Sequence, residues 1–128
     1  MRLVLMVALG VVVGVAGWAA GAEQTEVAPQ ARPVYNWFKA VKDGDVELLK
    51  SVFSKRMREK FEQEGWEKVL KTYQTVIEKE IGKYEMGDLA FKYAGTETEG
   101  KVHVTHKGKD LGALRVIQED GGWKANER

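Results

Sequence analysis

The C-terminal part of the chain alternates apolar and polar residues with the period of a β-strand. Leu89, Phe91 and Tyr93 would share one face of such a strand, and Val102 and Val104 repeat the pattern in the next segment. The alternation predicts strands over 89–94, 101–107, 111–119 and 123–127. Gly-, Thr- and Asp-containing breaks of hairpin length separate them, so no crossover helix fits and the strands should pair antiparallel.

The period changes upstream of these strands to that of amphipathic helices. An apolar stripe begins at Val34, and Gly44 should end that helix. Asp45 is a good N-cap for a second helix, and Ser54 can cap a third over 55–64. The sequence therefore predicts helices first and an antiparallel meander second, an α+β fold.

The cleanest helical stripe runs over 66–81 and predicts the longest helix of the chain. A sheet with one apolar face needs a layer over it, so we expect this helix to lie across the sheet. The side chains that it should cover are Leu89, Phe91, Leu114 and Trp123.

The first residues have the pattern of an export signal. Arg2 precedes an almost unbroken apolar run over 3–15, and Ala20-Gly21-Ala22 supplies the small residues of a signal-peptidase site. We expect a signal peptide over 1–22, cleavage after Ala22, and a secreted or periplasmic product. An uncleaved anchor is the alternative, but the run is shorter than the ~20 residues of a membrane span. Residues 23–33 should form a flexible linker, and 34–128 a single domain.

Composition excludes several classes of protein. The 128 residues include no Cys, so disulfides, lipoprotein attachment and thiolate metal sites are excluded. Without Arg2 the chain has equal numbers of basic and acidic residues, whereas nucleic-acid binders are normally basic. We expect no nucleic-acid partner, no metal and no cofactor.

Two segments resemble the nuclear-transport-factor-2-like superfamily, which has a cystatin-like α+β fold. The segment 40–49, AVKDGDVELL, looks like its first helical hairpin, and 118–124, QEDGGWK, is similar to its last β-hairpin, especially in small secreted members of unknown function. The resemblance implies a sheet curled around the helices into a cone that can bind a small molecule. It also implies dimerisation through the outer sheet face in many members.

Enzymes of that superfamily use an Asp or His base in the cone and a Tyr or Asp donor opposite it. Candidate donors here are Tyr35, Tyr73 and Tyr93, and the candidate base is His106 or, if the first strand begins early, Asp88. Asp88 stands where a strand starts, and acidic residues there usually cap or turn. We therefore expect no enzyme of the isomerase or hydratase type. His106 should be a buried histidine with a hydrogen-bond partner, and His103 should be exposed.

Two functional hypotheses remain open. The first is a module that binds a small apolar or amphipathic ligand in the cone. Its pocket candidates are Tyr73, Phe91, Tyr93, His106 and Trp123. The second is a structural or interaction protein with a filled cone, which forms a homodimer through Arg115 and Ile117 on the outer sheet face.

Overall fold

The structure of the protein is a computed structural model, which describes residues 27–127. The predicted signal peptide, its cleavage site and residues 23–26 of the predicted linker lie outside the described residues. Within them the fold is α+β, as predicted, with helices followed by an antiparallel sheet. The helices are α1 Arg32–Asp43, α2 Val46–Val52, α3 Lys55–Glu64 and α4 Trp66–Glu80. The strands are β1 Leu89–Gly95, β2 Glu99–His106, β3 Lys109–Glu119 and β4 Gly122–Ala125.

The helix ends are set by local hydrogen bonds and turn residues that the sequence predicts. Gly44 adopts a left-handed φ of 69° after α1, and its N–H donates to the carbonyl of Ala40. The Asp45 carboxylate accepts a hydrogen bond of 3.1 Å from the N–H of Leu48, and the Ser54 hydroxyl accepts one of 3.4 Å from Met57. The predicted caps of α2 and α3 are confirmed.

The sheet is a meander in the order β1-β2-β3-β4 with every pair antiparallel. Two-residue turns join the last three strands. Asp120 and Gly121 have positive φ values of 54° and 81°, and Lys107 and Gly108 have values of 50° and 86°. Such turns match the twist of the strands that they connect. The break of hairpin length predicted between residues 119 and 123 is confirmed as a turn at Asp120-Gly121.

The predicted position of the longest helix is wrong. The sheet is covered by α1, which contacts β4, and by a 3₁₀ turn, Pro29–Ala31, which contacts β1, β3 and β4. Helix α4 packs on α1, α2 and α3 as a further layer. An apolar stripe shows that a helix has a buried side but not which element buries it. Val76 of α4 is 48% exposed, although an apolar residue within the 66–81 stripe would be expected to be buried.

The packed part of the chain begins before Val34. The linker was expected to be flexible to residue 33, but Pro29–Ala31 forms the 3₁₀ turn, and Ala31 and Pro33 are buried. Pro33 lies in the first turn of α1, where a missing N–H removes no helical hydrogen bond. The end of the predicted linker is thus part of the layer on the sheet.

Candidate functional site

Tyr73 belongs to an aromatic cluster between the helices. Its ring lies 4.9 Å from that of Trp37 and 6.3 Å from those of Phe53 and Phe61, measured between centroids. Burial raises the pKa of Tyr73 to about 12, and the nearby carboxylates of Glu64 and Glu127 also raise it. The cluster fills the space between α1, α3 and α4, so Tyr73 packs among rings there.

Phe91 lies under α1 rather than in an open cone. Its ring centroid is 5.8 Å from that of Tyr35 and 6.0 Å from that of Phe38, both in edge-to-face geometry. Phe38 also contacts Tyr84, which donates a hydrogen bond to the carbonyl of Phe38 and is 7% exposed. Sequence reasoning missed Tyr84, because it follows α4 in a segment without helical or strand periodicity.

Tyr93 and Trp123 form a separate pair at one end of the sheet. Their rings meet edge-to-face at 5.5 Å, and both residues are half-buried. The Tyr93 ring lies over Gly100, where an added Cβ would come within 2.7 Å of it. Its hydroxyl donates to the carbonyls of Glu99, at 2.8 Å, and Thr96. Two of the five pocket candidates therefore meet directly.

His106 lies at the opposite end of the sheet from that pair. It is opposite Leu89 in the β1–β2 ladder, whereas Trp123 is opposite Gln118, whose N–H donates to Thr98. Eight residues of extended chain separate Thr98 from His106, or ~26 Å at about 3.3 Å per residue. The structure therefore does not bring His106 and Trp123 into one site.

The expected hydrogen bond of His106 is absent. Its Nε2 atom is buried and has no partner among the described residues, although the residue as a whole is half-buried. His103 is exposed, as expected. Asp88, the alternative base, lies 3.9 Å from the ammonium of Lys107 at the same end of the sheet. The hydroxyl of Tyr93, one candidate donor, is bonded to backbone carbonyls at the other end of the sheet.

The inner face of the sheet is closed at its centre. Val102, Val104, Val116 and Ala125 are fully buried there. Three shallow depressions open on the surface of residues 27–127, and their linings come from the helices and the segment after α4. None of the three is lined by Tyr73, Phe91, Tyr93, His106 or Trp123.

The outer face of the sheet is exposed and basic. The register places Lys101 directly opposite Arg115 and Lys92 directly opposite His103. Lys92, Lys101 and His103 are exposed, and Arg115 is half-buried. The ion pairs found among residues 27–127 involve Lys39, Lys50 and Lys107, and so include none of these four side chains.

The two dimer candidates, Arg115 and Ile117, both lie on this basic face and are half-buried. Ile117 is opposite Glu99 on one side and Lys124 on the other. Sequence reasoning named these two residues but missed Lys92, Lys101 and His103 as their neighbours. The alternation along β1 and β2 contains that signal, but only the register shows which side chains meet across strands.

The described residues contain no helix long and apolar enough to cross a membrane. Residues 27–127 also contain no group of three or more His, Asp or Glu side chains arranged to hold a metal ion.

No protein-family model, curated protein or solved structure matches this chain.

Proposed function

We propose that this protein is an exported, non-enzymatic interaction module that binds an acidic protein partner through the outer face of its sheet. The single observation that carries the proposal is the pair Lys101 and Arg115. Like charges directly opposite each other in a sheet are destabilising, and neither side chain of this pair takes part in a described ion pair. The Glu127 carboxylate accepts a hydrogen bond from the backbone N–H of Arg115, not from its guanidinium. Carboxylates of a partner would relieve that repulsion.

The same charges disfavour the homodimer that the resemblance implies. A two-fold interface brings the same patch of both copies together. Lys92, Lys101, His103 and Arg115 of one copy would then face the same groups of the other, and the acids of this face in the described strands are Glu99, Asp110 and Glu119. Glu119 already accepts a hydrogen bond of 2.9 Å from the N–H of Lys55. A different protein with acidic side chains neutralises these charges better than a second copy of the chain does.

The filled inner face supports an interaction role over ligand enclosure, since the central side chains are fully buried. As part of the same proposal, the fold is a nuclear-transport-factor-2-like cone in which helix α1 occupies the interior. The order of a Gly-Asp helical hairpin followed by a four-stranded meander supports that assignment. Fold alone does not decide function, because such folds host binders, catalysts and assembly modules.

The proposal is tested by site-specific photocrosslinking in a secreting host. A photoreactive residue at Ala113, which is exposed and opposite His103, should capture a partner. The same residue at the exposed Thr72 of α4 is the matched control. The double change Lys101→Glu and Arg115→Glu should abolish the adduct at 113. Adducts that form equally from both positions, or that survive charge reversal, would overturn the proposal.

A second candidate function rests on Tyr93 and Trp123. Two half-buried aromatic rings in contact offer an apolar platform for a small amphipathic ligand at the end of the sheet. Native mass spectrometry of the protein purified without refolding would show a retained molecule as added mass. Trp123→Ala should remove that mass, whereas Trp66→Phe, in the helical cluster, should not. An unmodified mass in the wild type would exclude a tightly retained ligand.

A further inference from the structure

One edge of the sheet is covered by another segment of the chain, and the other edge is not. The β4 edge is covered, because Phe53 forms a parallel bridge with Ala125 and the N–H of Ser54 donates to the carbonyl of Ala125 at 2.9 Å. Strand β1 is the other edge. No backbone hydrogen bond joins its outer side to another element of residues 27–127. An open edge is a template for one more strand.

The hydrogen bonds at the ends of the β1–β2 hairpin show which groups point outward. The N–H of Thr96 donates to Glu99, and that of Lys107 donates to Asp88, both at 2.9 Å. In an antiparallel pair, hydrogen-bonded and non-hydrogen-bonded residues alternate. Positions 90, 92 and 94 therefore bond to β2, whereas 89, 91, 93 and 95 direct their N–H and C=O groups toward the free edge.

Lys92 disfavours pairing of this edge with itself. It is the only charged residue of β1 and stands at the middle of the strand. When two copies pair antiparallel with all residues of β1 overlapping, Lys92 lies opposite its own copy, which is destabilising. Its ladder neighbours on the same face are His103, directly opposite, and Lys101, one diagonal away. The charge of Lys92 at the centre of the edge thus favours a partner strand that carries a carboxylate over the β1 strand of a second copy of the chain.

The inner side of the same edge is aromatic. Phe91 and Tyr93 alternate with Lys92 and are both half-buried, so neither residue is fully covered. A strand beside β1 would place every second side chain next to these rings and the others next to Lys92. The edge is therefore complementary to a segment that alternates apolar with polar residues.

We propose that the free edge of β1 accepts an extended segment of a partner protein as a fifth strand. Apolar side chains of that segment pack beside Phe91 and Tyr93, and a carboxylate lies opposite Lys92. This strand addition uses the edge of the sheet, and it does not depend on the outer-face interaction proposed above.

The test uses the peptide Ser-Val-Thr-Val-Glu-Val-Thr-Val-Ser, capped at both ends, and the protein purified from a secreting host. The peptide reads the same in both directions, so parallel and antiparallel addition present the same side chains. A control peptide carries Lys in place of the central Glu. Amide hydrogen exchange, followed residue by residue by NMR, reports which N–H groups become bonded.

The expected result is a pattern of alternate protection. At saturating acidic peptide, amide exchange should slow at least about tenfold at Phe91 and Tyr93, whose N–H groups gain partners. The amides of Lys92 and Ala94 should change little, because they are already bonded to β2. Protection at other positions only, or no binding of the acidic peptide at millimolar concentration, would overturn the proposal.

Charge reversal tests the partner chemistry. The wild type should bind the acidic peptide roughly two- to fivefold more tightly than the lysine peptide, the range expected for one cross-strand charge pair. Lys92→Glu should invert that preference, and the matched change Lys71→Glu on the exposed side of α4 should leave it unchanged. Equal binding of both peptides, or a peptide-free dimer protected along β1, would count against an acidic partner.

Discussion

The inner and outer faces of the same four strands have opposite characters. On the inner face, Val102 and Val116 are fully buried under α1 and the 3₁₀ turn. On the outer face, Lys101 and Arg115 stand opposite each other, and neither takes part in a described ion pair. The inner face has the closed packing that stabilises a domain, whereas the outer face presents basic side chains without ion-pair partners among residues 27–127. This difference favours the outer face of the sheet as the functional surface.

The largest effect should come from the hydrophobic core, where Phe53 packs between the helices and β4. Phe53 is 2% exposed and contacts the rings of Phe61, Trp66 and Tyr73. Phe53→Ala should lower the free energy of unfolding by about 3–5 kcal/mol, because it removes apolar contacts and leaves a cavity. Urea denaturation with matched m-values measures the change.

Ile117→Ala on the outer face is the control for that substitution. The side chain is half-buried and not covered by a helix layer, so its truncation should cost less than about 1 kcal/mol. Equal losses for the two variants would mean that the outer face is packed as tightly as the hydrophobic core.

A smaller effect is expected where the helices join the covered edge. The Ser54 hydroxyl caps α3 and donates to Asn126 at 2.7 Å, and the residue is 1% exposed. Ser54→Ala should destabilise the protein by about 1–2 kcal/mol, since a cap and a buried hydrogen bond are lost. Thermal and urea unfolding should agree on this value.

Ser51→Ala is the matched control, because that exposed hydroxyl bonds only to the carbonyl of Leu48 within its own helix. Its cost should stay within about 0.5 kcal/mol. A cost as large as that of Ser54→Ala would show that burial and capping do not distinguish the two serines.

The buried aromatic cluster also predicts an alkaline limit to stability. The pKa of Tyr73 is raised to about 12 in the folded protein, and an unfolded tyrosine ionises near 10. Between these values the folded state holds the proton that the unfolded state releases, so the free energy of unfolding falls as pH rises. The contribution of neutral Tyr73 to the free energy of unfolding is fully present below about pH 10. Tyr73→Phe should reduce the slope of stability against pH in this window, and an unchanged slope would assign the loss to other groups.

Much of the fold is predictable from the sequence because its determinants are local. Asp45 and Ser54 cap their helices, and Asp120-Gly121 turns the last hairpin, through contacts within a few residues. The helix that covers the sheet is not predictable in this way, because the stripes of α1 and α4 both report only a buried side. The same limit applies to the site. Strand alternation places Tyr93 and Trp123 on apolar faces, but only the sheet register shows that they lie at the opposite end of the sheet from His106.

The smallest effect on stability should come from the charges of the outer face. Lys101→Glu with Arg115→Glu should change the free energy of unfolding by no more than about 0.5 kcal/mol, since exposed charges away from the core contribute little. Native mass spectrometry should show a monomer for both wild type and variant. A wild-type dimer that dissociates on charge reversal would instead make this face a self-association surface. Side chains that serve only a partner can be replaced without loss of domain stability. A large loss of stability in the double variant would therefore give Lys101 and Arg115 a structural role.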